Sequence, residues 1–363
     1  MESVLRRRCK NREMKNIILI YNPKAGDTTF RFSLDRFIEI FSEKDYEVRV
    51  FRSRVPGDMA TFLEQTDFHD TEAVMVAGGT GTINEVVGAM IRQKIDLPVG
   101  IVPAGTENEY ARYLGFNGEL EDNLKALFAM TEITVDVGRV EDSYFVDSLC
   151  VGTLSTISAV SSEMRNAFGK MANYMKGAIS INKLKSMKLQ IETGDKRYTG
   201  VFTSFIIANE AIRKPGPLST GKFTLIATRS TKLGREFRYL EKDYPEGQTI
   251  IRKNVISAVD GIGEVEKGVL RLTGHDFKIR IMDDDTPIHA ELDGEPGPKM
   301  PINVEILPHA LRVFYNPIGR DEQFKKKKLL PVIDVPRGTS KEKKETKKDP
   351  GKRKKRNRAN KET

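Results

Sequence analysis

Three stretches of the chain are built from residues that let a backbone approach a phosphate: NPKAG (Asn22 to Gly26), GGTGTINE (Gly78 to Glu85) and PAGTENE (Pro103 to Glu109). Glycine lacks the Cβ that would hold an anion away from the main chain. A helix starting directly behind such a turn adds free N–H groups and the positive end of its dipole. The chemistry this suits is nucleotide binding and phosphoryl transfer, a reaction governed by positioning and charge neutralisation. The spacing is neither GxxxxGKS/T nor GxGxxG, which sets aside a P-loop and a dinucleotide fingerprint. A fourth stretch, AELDGEPG (Ala290 to Gly297), carries Asp293 and Glu295. Taken alone it is an Asp-Gly hairpin turn with solvated acids.

The elements that must position these loops are legible in the apolar pattern. Lys15 to Tyr21 (KNIILIY) reads as a buried strand, and Phe30 to Ser42 repeats apolar residues at helical spacing. Tyr46 to Phe51, Ala73 to Ala77 and Val99 to Val102 read as further strands, with helices over Gly57 to Gln65 and Ile83 to Gln93. This alternation implies a parallel sheet covered by helices. Ligands bind beyond the carboxyl ends of such strands, so all three glycine loops open on one edge. From about Thr134 the rhythm changes to strands separated by turns: ITVDVGRV, YFVDSLCV, KLQIET, YTGVFTSFIIAN, KFTLIATR, VLRLTG, FKIRIM and INVEIL. One helical insertion interrupts them near Ser161 to Leu184. The expectation is an antiparallel sandwich or barrel as a second domain, with ALRVFYNP (310 to 317) returning to the first.

At 363 residues the chain has room for two domains, and 39% hydrophobic with 31% charged residues is ordinary for a globular protein. Its longest apolar runs fall far below the roughly 18 residues needed to span a bilayer. The basic N-terminus has no apolar segment behind it, so no signal peptide is expected, and a cytoplasmic location follows. Cys9 and Cys150 have no spacing for a disulfide framework or a zinc site. The net charge of +9 is concentrated in a tail: from Lys341 to Thr363 twelve Lys/Arg stand against four Asp/Glu, and Lys325 to Lys328 add four more. The tail is expected to be disordered, as a solubilising end or as a contact for anionic headgroups. No recognition module or aromatic interleaving points to specific nucleic acid.

Together, NPKAG, GGTGTINEVV, GIVPAGTENEYAR and ELDGE resemble the bacterial diacylglycerol kinase family of lipid kinases, whose relatives include the sphingosine and ceramide kinases. The resemblance covers about Lys15 to Asn316. It implies an NAD kinase-like α/β N-terminal domain, its parallel sheet carrying helices on both faces, and a β-sandwich second domain. Domain limits are then 14–133, joined by a returning segment at 308–330, for nucleotide binding; 134–307 for a β-rich lipid-substrate domain; and 331–363 for the tail. The nucleotide would lie between the domains. The implied contacts are Asn22, Lys24 and Gly26, Ser53 near the end of the second strand, Gly78, Gly79, Thr80, Gly81, Thr82, Asn84 and Glu85, then Thr106 and Glu109. Glu295 would be the general base that accepts the lipid hydroxyl proton, with Asp293 supporting it or the metal.

The chain departs from the family pattern at three acids. Thr80 stands where the family has Asp in GGDGT, Glu109 where it has Asp, and Thr220 in PLSTGKFTL where an Asp contributes to a structural magnesium site. Losing a carboxylate beside a cation removes on the order of 4 kcal/mol at an effective dielectric near 20, before desolvation. Glu85, Glu107 or Glu109 are the candidates to restore it, and a threonine hydroxyl is itself a magnesium ligand in P-loop enzymes. The expected activity is therefore an ATP-dependent, magnesium-assisted lipid kinase acting on a diacylglycerol-like or sphingoid hydroxyl, with the metal ligands unassigned. A non-catalytic regulator and a soluble-substrate kinase of NAD kinase type remain as alternatives. Expected partners are a lipid at the membrane surface, an anionic inner membrane face reached through the tail, and a second copy of the chain in a homodimer. The basic stretch Arg165 to Lys188 is either a solvated helix face or a border of the lipid entrance.

Overall fold

The computed structural model describes residues 15–26, 28–105, 108–128, 131–152, 186–228, 262–265, 269–282 and 287–329. Thr106 and Glu107, the helical insertion expected at 161–184, residues 165–185 of the basic stretch and the basic tail lie outside them.

The first half is a parallel sheet of β1 (Lys15–Tyr21), β2 (Tyr46–Arg52), β3 (Thr71–Gly78) and β4 (Val99–Pro103) in the order β4-β3-β1-β2. Its inner strands read as continuous apolar runs because both faces are covered: Ile17 to Ile20 and Ala73 to Ala77 are essentially inaccessible. The helices between them are α1 (Leu34–Ser42), α2 (Asp58–Glu64) and α3 (Thr80–Gln93), followed by α4 (Glu109–Tyr113) and α5 (Leu120–Leu127). Right-handed crossovers in this strand order put α1 on one face and α2 and α3 on the other. Phe37 and Phe41 of α1 stack at 4.4 Å in the core, each such buried ring contributing roughly 1.5–3 kcal/mol.

The chain therefore leaves β1 toward one face and β3 toward the opposite face, although the two strands are neighbours in register from Ile17↔Ala73 to Tyr21↔Ala77. A crevice opens between such strands at their carboxyl ends, where α/β sheets bind ligands. NPKAG and GGTGT are the two loops that border it.

The second half contains β5 (Glu132–Val140), β6 (Ser143–Phe145), β7 (Ser148–Gly152), β8 (Met187–Thr193), β9 (Lys196–Phe202), β10 (Ser204–Ala208), α6 (Glu210–Arg213), β11 (Phe223–Thr228), β12 (Ile262–Val265), β13 (Val269–Gly274), β14 (Asp276–Ile281), β15 (His289–Leu292), β16 (Glu295–Lys299), β17 (Ile302–Phe314) and α7 (Pro317–Leu329). Among the described residues, β13-β11-β10-β7-β15-β16 form an antiparallel sheet. Its inner residues, including Leu149, Phe205 and Leu225, pack against Leu189, Phe277 and Val304 of the larger sheet. This is a sandwich rather than a barrel.

INVEIL and ALRVFYNP, read separately in the sequence, are one strand. β17 pairs with β14 at its start, with β5 along most of its length and with β4 in parallel at Val313↔Val99. The parallel sheet and one layer of the sandwich are thus a single sheet of eleven strands among the described residues. The misleading break comes from Pro308, which has no N–H to donate, and His309, whose φ of +52° bends the strand where its register with β5 shifts. Conversely, YFVDSLCV and YTGVFTSFIIAN each divide into two strands, because the chain crosses between sheets at Val146–Asp147 and at Thr203.

Candidate active site

The helix after the second glycine loop begins earlier than its apolar pattern suggests. Gly79 is the N-cap of α3 and Thr80 already lies in its first turn, so GGTGT is mostly a helix N-terminus with its free N–H groups at the crevice. Glycines hold the three loops against each other. A Cβ on Gly26, whose φ is +59°, would sit 2.6 Å from the Ala104 carbonyl oxygen. One on Gly105 would sit 3.0 Å from the Gly79 Cα, and one on Gly78 2.5 Å from the Thr82 side chain. Gly79 differs: a Cβ there would meet no atom within 4 Å, so its backbone is bare to the crevice.

Side chains fix the same arrangement. The Asn22 Nδ2 donates to Thr82 Oγ1 at 3.3 Å, linking the first loop to α3, while the Lys24 N–H donates to Asn22 Oδ1 at 2.9 Å. The Gly105 N–H donates to Asn108 Oδ1 at 2.6 Å, closing the third loop. Asn84 Oδ1 is buried without a hydrogen-bond partner among the described residues. A cradle of bare glycine backbone at a helix N-terminus fits the phosphates of a nucleotide.

The distant DGE motif reaches this cradle. Asp293 (φ +50°) and Gly294 (φ +86°) make the two-residue turn between β15 and β16, as an Asp-Gly pair favours. Glu295 follows and projects over α3, where its Oε1 lies 2.9 Å from the position a Gly81 Cβ would occupy. Asp293 turns the other way. Its carboxylate accepts the N–H groups of Val146, Asp147 and Ser148 at 2.8, 2.9 and 2.6 Å, and its own N–H donates to the Ser148 carbonyl at 2.7 Å. Burial, then the Asp147 carboxylate, push the Asp293 carboxyl above its ordinary range against these three donors. Asp293 is thus a positioning residue: it fastens the hairpin bearing Glu295 to the point where the chain changes sheets.

Other residues expected at the site are directed elsewhere. The Glu85 Oε1 accepts the Met59 and Ala60 N–H groups at 3.1 and 3.3 Å, which caps the first turn of α2 rather than facing the crevice. Glu109 is exposed and 3.6 Å from Arg112 one turn along α4. The buried Ser53 hydroxyl donates to Asp58 Oδ1 at 3.0 Å and shapes the turn after β2. Glu85 is thereby committed to the α2 N-terminus rather than to the acid missing at Thr80. Thr106 lies outside the described residues.

Three polar groups that frame the cleft were not singled out in the sequence. Asp136, fully buried in β5, accepts the Thr220, Gly221 and His309 N–H groups at 2.8, 2.7 and 3.0 Å and the Ser219 hydroxyl. Asp147 receives a two-pronged contact from Arg213, with Nε to Oδ1 at 3.0 Å and Nη2 to Oδ2 at 2.5 Å. Arg320 of α7 donates to the carbonyls of Tyr113, Ala211, Ile212 and Lys214, joining the ends of α4 and α6. The visible signal for Asp136 and Asp147 was an acid inside an apolar strand pattern, which needs a partner once buried.

The segment around Thr220 does not fit the structural magnesium of the family pattern. Thr220 has no carboxylate, and it and Gly221 turn N–H groups, not carbonyls, toward the one buried acid. The lone pairs of Asp136 are taken by four donors. Among the described residues no group of three or more His, Cys, Asp or Glu side chains forms a metal site.

Known proteins similar to this chain are diacylglycerol kinases. Residues 16–140 match the diacylglycerol kinase catalytic domain family. The chain is similar to the diacylglycerol kinase of Bacillus subtilis (strain 168), 29% identical over 238 residues, covering 62% of this chain and 77% of the relative. It is 26% identical over 293 residues to that of Staphylococcus haemolyticus, covering 78% of this chain and 83% of the relative. In fold it is similar to the crystal structure of a diacylglycerol kinase from Bacillus anthracis, with a TM-score of 0.60, 16% identity and coverage of 85% of this chain and 99% of that one. The catalytic-domain match spans the glycine loops and the sheet that carries them, and the longer alignments run on into the sandwich: residues 16–140 match a diacylglycerol kinase catalytic domain, and the chain as a whole is similar to bacterial diacylglycerol kinases.

Proposed function

We propose that the protein transfers the γ-phosphoryl group of ATP to the free hydroxyl of a diacylglycerol-like lipid, with Glu295 as general base. The observation that carries this reading is the Glu295 carboxylate over Gly81, beside a glycine-lined helix N-terminus. The backbone from Gly78 to Gly81, with Asn22 and Lys24, would hold the phosphates. Glu295 takes the hydroxyl proton as the lipid oxygen attacks the γ-phosphorus, and ADP departs with the bridging oxygen. Positioning and charge neutralisation supply most of the rate in such transfers, and a well-placed base adds typically 10²–10⁴-fold. Magnesium would enter with the nucleotide, where it neutralises phosphate charge. The Asp136 carboxylate is occupied by four protein donors, from Ser219, Thr220, Gly221 and His309.

Substrate choice and the consequence of Thr80 are resolved by one assay. Purified protein is given Mg-ATP and mixed micelles carrying diacylglycerol, ceramide or sphingosine, and phosphate in extracted lipid is followed. Transfer to diacylglycerol in preference to the sphingoid lipids is expected. Thr80 favours a second reading, a non-catalytic nucleotide- or lipid-binding regulator. Nucleotide binding without transfer to any lipid, unchanged by Thr80→Asp, would establish that reading, whereas a gain in transfer with Thr80→Asp marks an enzyme limited by its missing acid.

A further inference from the structure

Two apolar side chains stand out on the segments that follow β1 and β2, beside the first glycine loop. Phe32 is 75% exposed and Val55 60%. The short helical turn Phe30–Phe32 sends Phe30 into the core against Tyr21 and Phe37, which leaves Phe32 outward with the Arg31 guanidinium over its ring at 4.6 Å. Val55 tips the turn after β2. That turn is a built one: Asp58 accepts the Arg54 and Val55 N–H groups at 2.6 and 3.1 Å, and Gly57 takes a φ of +88°. Both tips rise from neighbouring strands, paired up to Tyr21↔Arg52, at their carboxyl ends.

Cations surround them. Lys24, Arg31, Arg52 and Arg54 are all exposed on these two loops and their flanks. The acids there are Asp35, exposed, and Asp58, whose carboxylate faces the amides of its own turn; Asp27 lies outside the described residues. Apolar tips ringed by Arg and Lys are the composition of a segment that enters a headgroup layer, apolar groups reaching the acyl boundary and cations meeting anionic lipid.

We propose that Phe32 and Val55, with Arg31 and Arg54, form a membrane-docking lip that seats the catalytic edge on an anionic bilayer. It rests on the lipid-kinase reading for its purpose: the same edge carries Glu295, so a docked enzyme meets the lipid hydroxyl at the surface instead of extracting the whole molecule. The occupant is a lipid surface rather than a protein because the tips are two separate side chains on cationic loops, not a continuous apolar face.

The chain contains no tryptophan, so Phe32→Trp and Val55→Trp each place a single reporter on the lip, and Met282→Trp places one on a 52% exposed position at the far end of β14. With phosphatidylglycerol vesicles, the first two are expected to shift to shorter wavelength and to be quenched by brominated lipid, and Met282→Trp to do neither. These readouts do not require kinase activity, so they stand if the proposed reaction fails. In turnover, Phe32→Ser with Val55→Ser is expected to slow phosphorylation of vesicle-borne diacylglycerol several-fold, leaving the KM for ATP and the rate on a short-chain monomeric diacylglycerol unchanged. A raised KM for ATP would make the tips nucleotide contacts, a vesicle-independent shift that grows with protein concentration would make them a contact between copies, and an unresponsive lip would leave no membrane role; each overturns the proposal.

Discussion

Glu295 rests its carboxylate where the side chain of residue 81 would be if that residue were anything but glycine, with Oε1 2.9 Å from the position of the missing Cβ. Two motifs more than 200 positions apart in the chain are thereby made dependent on each other. The glycine gives the carboxylate room at a helix N-terminus, and the hairpin turn at Asp293–Gly294 delivers it there.

Gly81→Ala tests that dependence without dismantling the fold. Within a helix, alanine is favoured over glycine by roughly 0.5–1 kcal/mol, so the melting temperature is expected to hold or rise. The displaced Glu295 carboxylate is expected to cost about 100-fold in kcat, the usual consequence of a misplacement near 1 Å. The comparison is made at saturating ATP, because Gly81 also belongs to the proposed phosphate cradle. A variant with full kcat would show that Glu295 works from another position.

Asp58 organises the turn behind the proposed lip, and its titration gives a signed pH dependence. Burial opposes ionisation, but hydrogen bonds from the Arg54 and Val55 N–H groups and the Ser53 hydroxyl outweigh it and hold the carboxyl below its ordinary range. A folded-state value below the unfolded one means that the unfolded chain binds more protons, so this contribution is present above the unfolded value near 4 and is lost as pH falls through the depressed folded value. Urea midpoints of wild type and Asp58→Asn should therefore differ most above pH 5 and converge toward pH 3. A gap that widens on acidification contradicts the assignment.

The Asp136 knot predicts indifference to chelation. With four donors on its carboxylate, the nucleotide-free protein should melt at the same temperature with EDTA as with magnesium. Asp136→Ala, which strands at least three of those donors, should lower stability by at least about 1–3 kcal/mol. A melting temperature that falls in EDTA would mean that a cation does bind among these residues.

Much of this architecture was readable beforehand, and what was not has identifiable causes. The parallel strands announced themselves because burial on both faces leaves unbroken apolar runs, as in AVMVA. The convergence of the loops followed from the alternation of strands and helices, which sets the loops after parallel strands on one edge. By contrast, β17 was divided by Pro308, a residue that interrupts pairing on one side while the strand continues on the other. The strands split at Val146–Asp147 and Thr203 looked continuous because the chain stays extended as it changes sheets. Glu85 resembled a site residue by its place in the motif, yet at five positions beyond Thr80 it has turned around α3 to meet α2. The partners of buried acids, such as His309 for Asp136 or Arg213 for Asp147, are long-range pairings that no local spacing encodes.

The central claim is that Glu295 removes the proton from a lipid hydroxyl as ATP gives up its γ-phosphoryl group. Its most direct test is single-turnover transfer of labelled phosphate from Mg-ATP to diacylglycerol in mixed micelles, comparing wild type with Glu295→Gln at matched nucleotide occupancy. The account predicts labelled phosphatidic acid from the wild type and a rate at least about 100-fold lower from Glu295→Gln, in line with the loss of a positioned base, with ATP binding retained. Equal rates from the two proteins would contradict it.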